Sequence, residues 1–204
     1  MTLCLDFLIG KSIMIKKAVF IDRDGTINVD KGYINHEDLF ELIPSVAQAI
    51  RQLNKNNFLV FIVSNQSGLA RGFFSQEVLD KVHQRMNRLL SQKNAHYDAL
   101  YYCPHHPDGM IEEFRKDCDC RKPKTGLFKK ALKDFDFDIK NSFMVGDKPS
   151  DIEFGKRCGL KTIMVLTGYG KGEFIYRRHN WKVKPDYIAD DLLSAVELIL
   201  FLTK

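Results

Sequence analysis

Five polar positions in this chain of 204 residues have the types and spacing to do chemistry. Asp22 and Asp24 stand one residue apart in DRDGTIN, directly after the apolar run AVFI; Ser64 ends FLVFIVS, Lys122 lies in CRKPKTG, and Asp147 follows SFMVG. One carboxylate at a strand end can attack an electrophile such as phosphorus, while a second, kept protonated by its neighbourhood, hands a proton to the leaving oxygen. Gly25 permits the turn that lets both flank one ligand. Two anions facing a phosphate need cationic help, which a hard divalent ion such as Mg²⁺, shared with Asp147, would supply. The plainer reading makes residues 22–28 a turn and Asp147 a cap on the helix beginning near Pro149.

A second cluster follows a different chemistry. Of five cysteines, Cys103, Cys118 and Cys120 gather with His105 in the order C-P-H, twelve residues, C-D-C. Three thiolates and an imidazole suit tetrahedral Zn²⁺, and a site filled by four protein ligands is structural. The polar intervening stretch HPDGMIEEFRKD would not bury free thiols. His106 is the alternative imidazole. Cys120 directly precedes Arg121 and Lys122, so the metal would hold both cations at the mouth of the site. Cys158 reads as core.

The elements that must position these residues alternate. Apolar β-rich runs recur at 17–22, 58–64, 99–103, 142–147 and 161–167, with helical patterns at 44–56, 75–92, 125–133, 150–158 and 191–202. Pro44 is placed at a first helical position, Ser75 opens the second helix, and Asp190 or Asp191 caps the last. PDYIADDL (185–192) reads as a short strand followed by a helix and YRRHNWK (176–182) as an edge loop. The expectation is an α/β fold: a three-layer, Rossmann-like parallel sheet with helices on both faces. In such a sheet ligands bind at the carboxyl ends of the strands, where Asp22, Asp24, Ser64, Asn65, Cys103, His105 and Asp147 all fall.

Composition bounds the rest. At 45% apolar and 28% charged residues, with a net charge of +5, the chain is an ordinary globular one whose scattered basic residues favour a phosphorylated metabolite over nucleic acid. Asp6 interrupts the apolar N-terminus, no basic region precedes it, and no run reaches the length of a membrane span. We expect a cytoplasmic protein without nucleic-acid or membrane partners, with one domain at 15–204 and a dispensable extension at 1–14.

Together DxDGT, the strand-two Ser, the Lys before a helix and GDxxxD resemble the four motifs of the haloacid dehalogenase superfamily of phosphotransferases. The resemblance implies an HAD-like domain without a large cap. It implies Asp22 as a nucleophile forming an aspartyl-phosphate, Asp24 as general acid and base, Ser64 as phosphoryl-binding hydroxyl and Lys122 as charge-balancing cation. Magnesium would be held by the side chains of Asp22 and Asp147 and the backbone carbonyl of Asp24, with Asp151 behind them or capping a helix. No P-loop occurs, so hydrolysis is the economical reaction.

Within that superfamily, the capless subgroup with a zinc loop has histidinol-phosphate and D-glycero-D-manno-heptose 1,7-bisphosphate branches. NQSGLARGFF, the twelve-residue spacer and DRDGTIN followed by GYI resemble the heptose branch, which implies a monomeric sugar bisphosphate phosphatase serving heptose and lipopolysaccharide-core precursor synthesis. A bisphosphate needs a second anion site, for which Asn65, Arg121, Arg71 and Lys148 are candidates, Arg121 foremost. The rivals are a histidinol-phosphate or DNA 3′-phosphate phosphatase and, in another class, an inactive zinc-stabilised sugar-phosphate-binding module. The α or β anomer stays open.

Overall fold

Residues 15–204 are described by the structure, a computed structural model; the expected extension at 1–14 lies outside the described residues. Six strands, β1 (Ala18–Ile21), β2 (Leu59–Asn65), β3 (Ala99–Cys103), β4 (Phe143–Gly146), β5 (Lys161–Val165) and β6 (Tyr187–Ala189), form one parallel sheet in the order β3-β2-β1-β4-β5-β6. Because successive side chains point to opposite faces, Val19 and Ile21 join one core and Ala18 and Phe20 another. The helices α1 (Val46–Lys55), α2 (Gln76–Ser91) and α6 (Leu192–Leu202) cover the first face. The second is covered by α3 (Gly126–Asp134) and α4 (Pro149–Arg157).

Phe20 centres the second core, its ring 5.0–6.5 Å from those of Phe61, Phe128, Phe137 and Phe154. Truncating such a residue costs about 3–5 kcal/mol, so β1 is anchored where it must present Asp22. Strand order reverses beside β1, with β2 on one side and β4 on the other, which opens a crevice between their carboxyl ends. Ile21 is paired with Val145, so the chain leaves both strands at one level with Asp22 and Asp147 on the same rim. Among the described residues no cap domain stands over it.

Two local expectations are corrected. Pro44 does not open α1: Ser45 at φ +66° redirects the chain, and the helix begins at Val46. The edge loop at 176–182 is instead a run of helical turns, α5 (Gly170–Gly172) continuing through Glu173–Arg177 and Arg178–Asn180. Glu173 ties this run together, accepting from Arg177 at 3.2 Å and from the Trp181 indole at 3.4 Å, while Arg178 lies over the Phe174 ring. Elsewhere the caps follow the expected chemistry: Ser75 accepts from Val78 N–H, and Asp191, rather than Asp190, accepts from Ser194 N–H.

Candidate active site

Asp22 leaves β1 buried, its backbone N–H held by the Val145 carbonyl at 2.9 Å. Lys122 reaches it from the loop before α3. Its Nζ donates to Asp22 Oδ1 at 2.7 Å, to the Val63 carbonyl at 2.7 Å and to Asp151 Oδ1 at 2.8 Å. An ammonium has three N–H donors, and here each has an acceptor. Burial works against the charge, but Asp151 and Asp22 outweigh it and hold the lysine pKa above its usual value. A buried ion pair is worth keeping only when its remaining hydrogens are satisfied, as these are.

Asn65, the last residue of β2, fixes the backbone of that lysine. Its Nδ2 donates to the Lys122 carbonyl at 3.1 Å, and its Oδ1 accepts from Lys122 N–H at 3.0 Å. The side chain expected to touch substrate is therefore engaged in positioning Lys122.

Asp147 is fully buried at the end of β4. Burial and the nearby Asp22 charge push its carboxyl up to about 8, against the pull of Lys148 and of the Tyr169 N–H that donates to Oδ2 at 2.8 Å. It does not cap α4, whose cap is Lys148; Asp151 Oδ2 accepts that residue's N–H at 3.1 Å. Asp151 thus both caps and pairs, with one oxygen on each partner. A Cβ on Gly25 would lie 2.3 Å from Asp147 Oδ2, and Gly25 sits at φ +87°, so space and backbone both demand glycine.

The donor set fits a hard divalent cation. Asp22, Asp147 and Asp151 offer oxygens within 4.8 Å of one another. One positive charge already stands against these oxygens: Lys148 Nζ lies 3.2 Å from the Asp24 carbonyl and 3.4 Å from Asp147 Oδ1, two of the groups expected to hold magnesium, and 3.3 Å from Asp30 Oδ2. Both Asp151 oxygens and Asp147 Oδ2 are taken by other donors, so Asp22 Oδ2, together with the Asp147 Oδ1 and Asp24 carbonyl that only Lys148 neighbours, is left to face an ion.

Asp24 departs from expectation in its charge. Burial raises its pKa, yet the Arg23 guanidinium, Asn28 and Gln66 together bring it below the usual value, so the carboxyl is ionised rather than kept protonated. Arg23 NH2 donates to both carboxylate oxygens at 2.9 Å, Asn28 Nδ2 to one at 3.0 Å and Gln66 Nε2 to the other at 2.8 Å. Gln66 Nε2 also donates to Ser64 Oγ at 2.7 Å. Behind them Arg23 NH1 lies 3.2 Å from His83 Nε2, and burial and that guanidinium depress the imidazole pKa to about 3. Arg23, Gln66, Asn28 and His83 were not singled out in the sequence. The signal for Arg23 was present, since a side chain between two carboxylates at a buried strand end has anionic neighbours on either side.

These groups surround a cavity of about 220 Å³ that includes Asp22, Asp24, Ser64, Arg121, Lys122 and Lys148. A second cavity of about 230 Å³ shares Asp24, Asn65 and Lys148 and extends to Asp30, Tyr33, Ser67 and Tyr169. Arg121 NH1 donates to the His105 carbonyl at 3.3 Å, so this cation is tied to the loop of the sulfur cluster. Arg71 lies away from the carboxylates, its NH2 3.0 Å from His106 Nε2.

Cys103, His105, Cys118 and Cys120 converge as one four-donor group that could hold a metal ion. Cys103 Sγ and Cys118 Sγ are 3.4 Å apart, Cys118 and Cys120 Sγ 3.1 Å, and His105 Nδ1 is 3.3 Å from Cys120 Sγ. Sharing a proton with Cys103, Cys120 is drawn down to about 5, while the Cys103 thiol is pushed up. His106 turns instead to Arg71. Gly126 N–H donates to the Asp119 carbonyl at 2.8 Å, linking the cluster to the start of α3 across Lys122.

The HAD-hydrolase-like family profile matches residues 119–195. The D-glycero-beta-D-manno-heptose-1,7-bisphosphate 7-phosphatase of Haemophilus ducreyi is 45% identical over 157 residues, 76% of this chain and 86% of that one. The protein of the same name from Pasteurella multocida is 44% identical over 186 residues, 91% and 97% of the two chains. Among solved structures, D,D-heptose 1,7-bisphosphate phosphatase from B. bronchiseptica, complexed with magnesium and phosphate, superposes with a TM-score of 0.81 at 30% identity, covering 92% of this chain and 99% of that one.

Proposed function

The chain belongs to the D-glycero-beta-D-manno-heptose-1,7-bisphosphate 7-phosphatase family of HAD-like phosphoric monoester hydrolases, and from that premise we propose that it removes the 7-phosphate of the β-anomer through an aspartyl-phosphate on Asp22. The observation that carries the mechanism is the buried Lys122 ammonium gripping Asp22 Oδ1 and Asp151 Oδ1 at a strand end. Such a cation orients the nucleophile, and it is placed to balance charge on the phosphoryl group beside it.

The chain's own residues divide the two steps. In the first, an Asp22 oxygen attacks phosphorus and the ester oxygen departs on the opposite side. In-line displacement sends that oxygen past Asp24 into the cavity beyond, where Asp30, Tyr33, Ser67 and Tyr169 offer the polar and aromatic surface a polyhydroxylated leaving group needs. Asp24 supplies the leaving proton after taking it up as substrate enters. In the second step the ionised Asp24 takes a proton from the attacking water; the Arg23, Asn28 and Gln66 hydrogen bonds favour that charged form. Ser64 steadies the phosphoryl oxygens, Arg121 meets the substrate's anionic charge and Arg71 supports the adjoining loop.

Magnesium, held by Asp22, Asp147 and the Asp24 carbonyl, would supply charge neutralisation for the transferring phosphoryl group. Zinc at Cys103, His105, Cys118 and Cys120 would fix the loop that ends at Arg121 and Lys122. The same reading includes a monomeric cytoplasmic enzyme. The test is phosphate release from both heptose 1,7-bisphosphate anomers, histidinol phosphate and a 3′-phosphorylated oligonucleotide, with and without magnesium. Preference for the β-bisphosphate supports the proposal; equal or better turnover of histidinol phosphate or the oligonucleotide overturns the substrate, and no turnover of any favours a binding module.

A further inference from the structure

The groups that would hold the catalytic ion come from the ends of β1 and β4, yet a third strand end touches both. Beyond Val165, the last residue of β5, the chain turns through Thr167, Gly168, Tyr169 and Gly170, and the Gly170 N–H closes the turn by donating to the Thr167 carbonyl at 2.9 Å. None of these four residues belongs to the motifs that identify the site. Their contacts nevertheless fall on its backbone and on one of its carboxylates.

Thr167 Oγ1 donates to the Gly25 carbonyl at 2.6 Å. A carbonyl oxygen can only accept, so the hydroxyl hydrogen lies on that bond. On its other side Gly25 donates its N–H to the Asn28 carbonyl at 2.8 Å. The peptide that carries the Asp24 carbonyl is thus held from within its own loop, and the next peptide is held from β5. Gly25 has no side chain to anchor it and sits at φ +87°, so hydrogen bonds to its two peptides are what hold it in place.

Two residues on, the Tyr169 N–H donates to Asp147 Oδ2 at 2.8 Å, which leaves Oδ1 as the oxygen of that carboxylate without a backbone donor. Between these contacts lies Gly168 at φ +52°, where a Cβ would come within 2.3 Å of Asp147 Oδ2 and 2.6 Å of Gly25 Cα. The turn therefore packs against both groups at once, with no room for a side chain between them. The Tyr169 ring lies under Lys148 Nζ, 5.0 Å from its centroid, and that ammonium stands 3.4 Å from Asp147 Oδ1.

We propose that the turn at Thr167–Tyr169 is a positioning element of the catalytic metal site. Thr167 holds the loop that carries the Asp24 carbonyl, and the Tyr169 backbone selects which Asp147 oxygen faces the ion. The inference rests on the magnesium reading above. Thr167 reaches the site only through the Gly25 carbonyl, and loss of a partner that orients ligands from behind weakens metal binding by about 10–100-fold, here at the lower end because the contact is one peptide removed.

Mn²⁺ is the probe, since the free aqueous ion gives an electron paramagnetic resonance signal that is lost on binding, and affinity is read without turnover. Wild type, Thr167→Val, Thr167→Ser and Asp147→Asn are titrated with Mn²⁺ alone, and thermal unfolding of each is followed without metal. Valine keeps the shape of threonine and removes the donor, whereas serine keeps the donor. Thr167 is only half-buried, so neither change opens the core. Thr167→Val is expected to bind about tenfold more weakly, Thr167→Ser within about twofold of wild type, and Asp147→Asn more weakly than either. The magnesium concentration for half-maximal phosphate release should rise in Thr167→Val by the same factor. A purely structural role would lower the unfolding temperature of Thr167→Val and leave Mn²⁺ affinity unchanged, and that result overturns the proposal. So does Thr167→Ser binding as weakly as Thr167→Val, which would assign the effect to packing rather than to the hydroxyl. Equal binding by wild type and Asp147→Asn, or none by wild type, would sink the magnesium reading and this inference with it.

Discussion

Two clusters in this molecule gather ligand atoms, and they are built in opposite ways. Cys103, His105, Cys118 and Cys120 come from one strand end and the loop that follows it, so their meeting is set by local spacing. Asp22, Asp147 and Asp151 come from the ends of β1 and β4 and the first turn of α4, more than a hundred residues apart, and they meet because the sheet places β1 beside β4. The sulfur cluster needs only its loop, whereas the carboxylate cluster needs the whole fold. Lys122 joins them, two residues past Cys120 and bonded to two of the carboxylates. A local knot of four ligand side chains thus aims a cation into a site assembled over long range.

Breaking the carboxylate cluster at its reacting atom should have the largest effect. Asp22→Asn is expected to lower kcat by about 10⁴-fold or more while leaving the circular dichroism spectrum unchanged, measured as magnesium-dependent phosphate release. Breaking the sulfur cluster should cost less activity and more stability. Cys118→Ser, or stripping the metal with a chelator, should lower thermal stability clearly and reduce kcat about 10–100-fold, with activity restored by added zinc in the chelated wild type. Were kcat to survive chelation with Lys122 unaffected, the link between the clusters would be wrong.

The link itself can be loosened. Asn65→Ala removes the two hydrogen bonds that hold the Lys122 backbone and should cost about 1–2 kcal/mol of stability, read by urea denaturation, with a fall in kcat larger than any change in KM. The smallest effect concerns the support behind Asp24. The folded pKa of His83, about 3, lies below its unfolded value near 6.5, so the unfolded chain binds more protons between these limits. Stability contributed by the neutral ring is therefore present above about pH 6.5 and is lost as pH falls toward 3. His83→Gln should flatten that part of the stability–pH curve, followed by thermal unfolding between those limits; an unchanged slope would mean the ring is not held neutral.

The same contrast explains what was legible in the sequence. The C-P-H and C-D-C spacing pointed to the sulfur cluster with His106 left as an alternative to His105, a choice that rests on His106 turning to Arg71 in the fold. The strand ends gave Asp22 and Asp147 as rim residues, because a parallel sheet sends every such position to one side, whereas Lys122, in the loop before α3, was reached only through the motif resemblance. What no spacing could show was how side chains on that rim are shared. Asn65 bonds the Lys122 backbone 57 positions away, and Asp24 is held ionised by its immediate neighbour Arg23 and by Gln66. The stretch at 176–182 was misread as a loop because the helical turns there are held by Glu173, Arg177 and Trp181 rather than by an apolar stripe of helical period.

The central claim is that Asp22 carries the phosphoryl group. Wild type in excess over the β-anomer of heptose 1,7-bisphosphate, with magnesium, should be quenched in acid at times within a single turnover and digested for mass spectrometry. The account predicts a peptide containing Asp22 heavier by one phosphoryl group, absent in Asp22→Asn. Phosphate released while the Asp22 peptide stays unmodified at every quench time would contradict it.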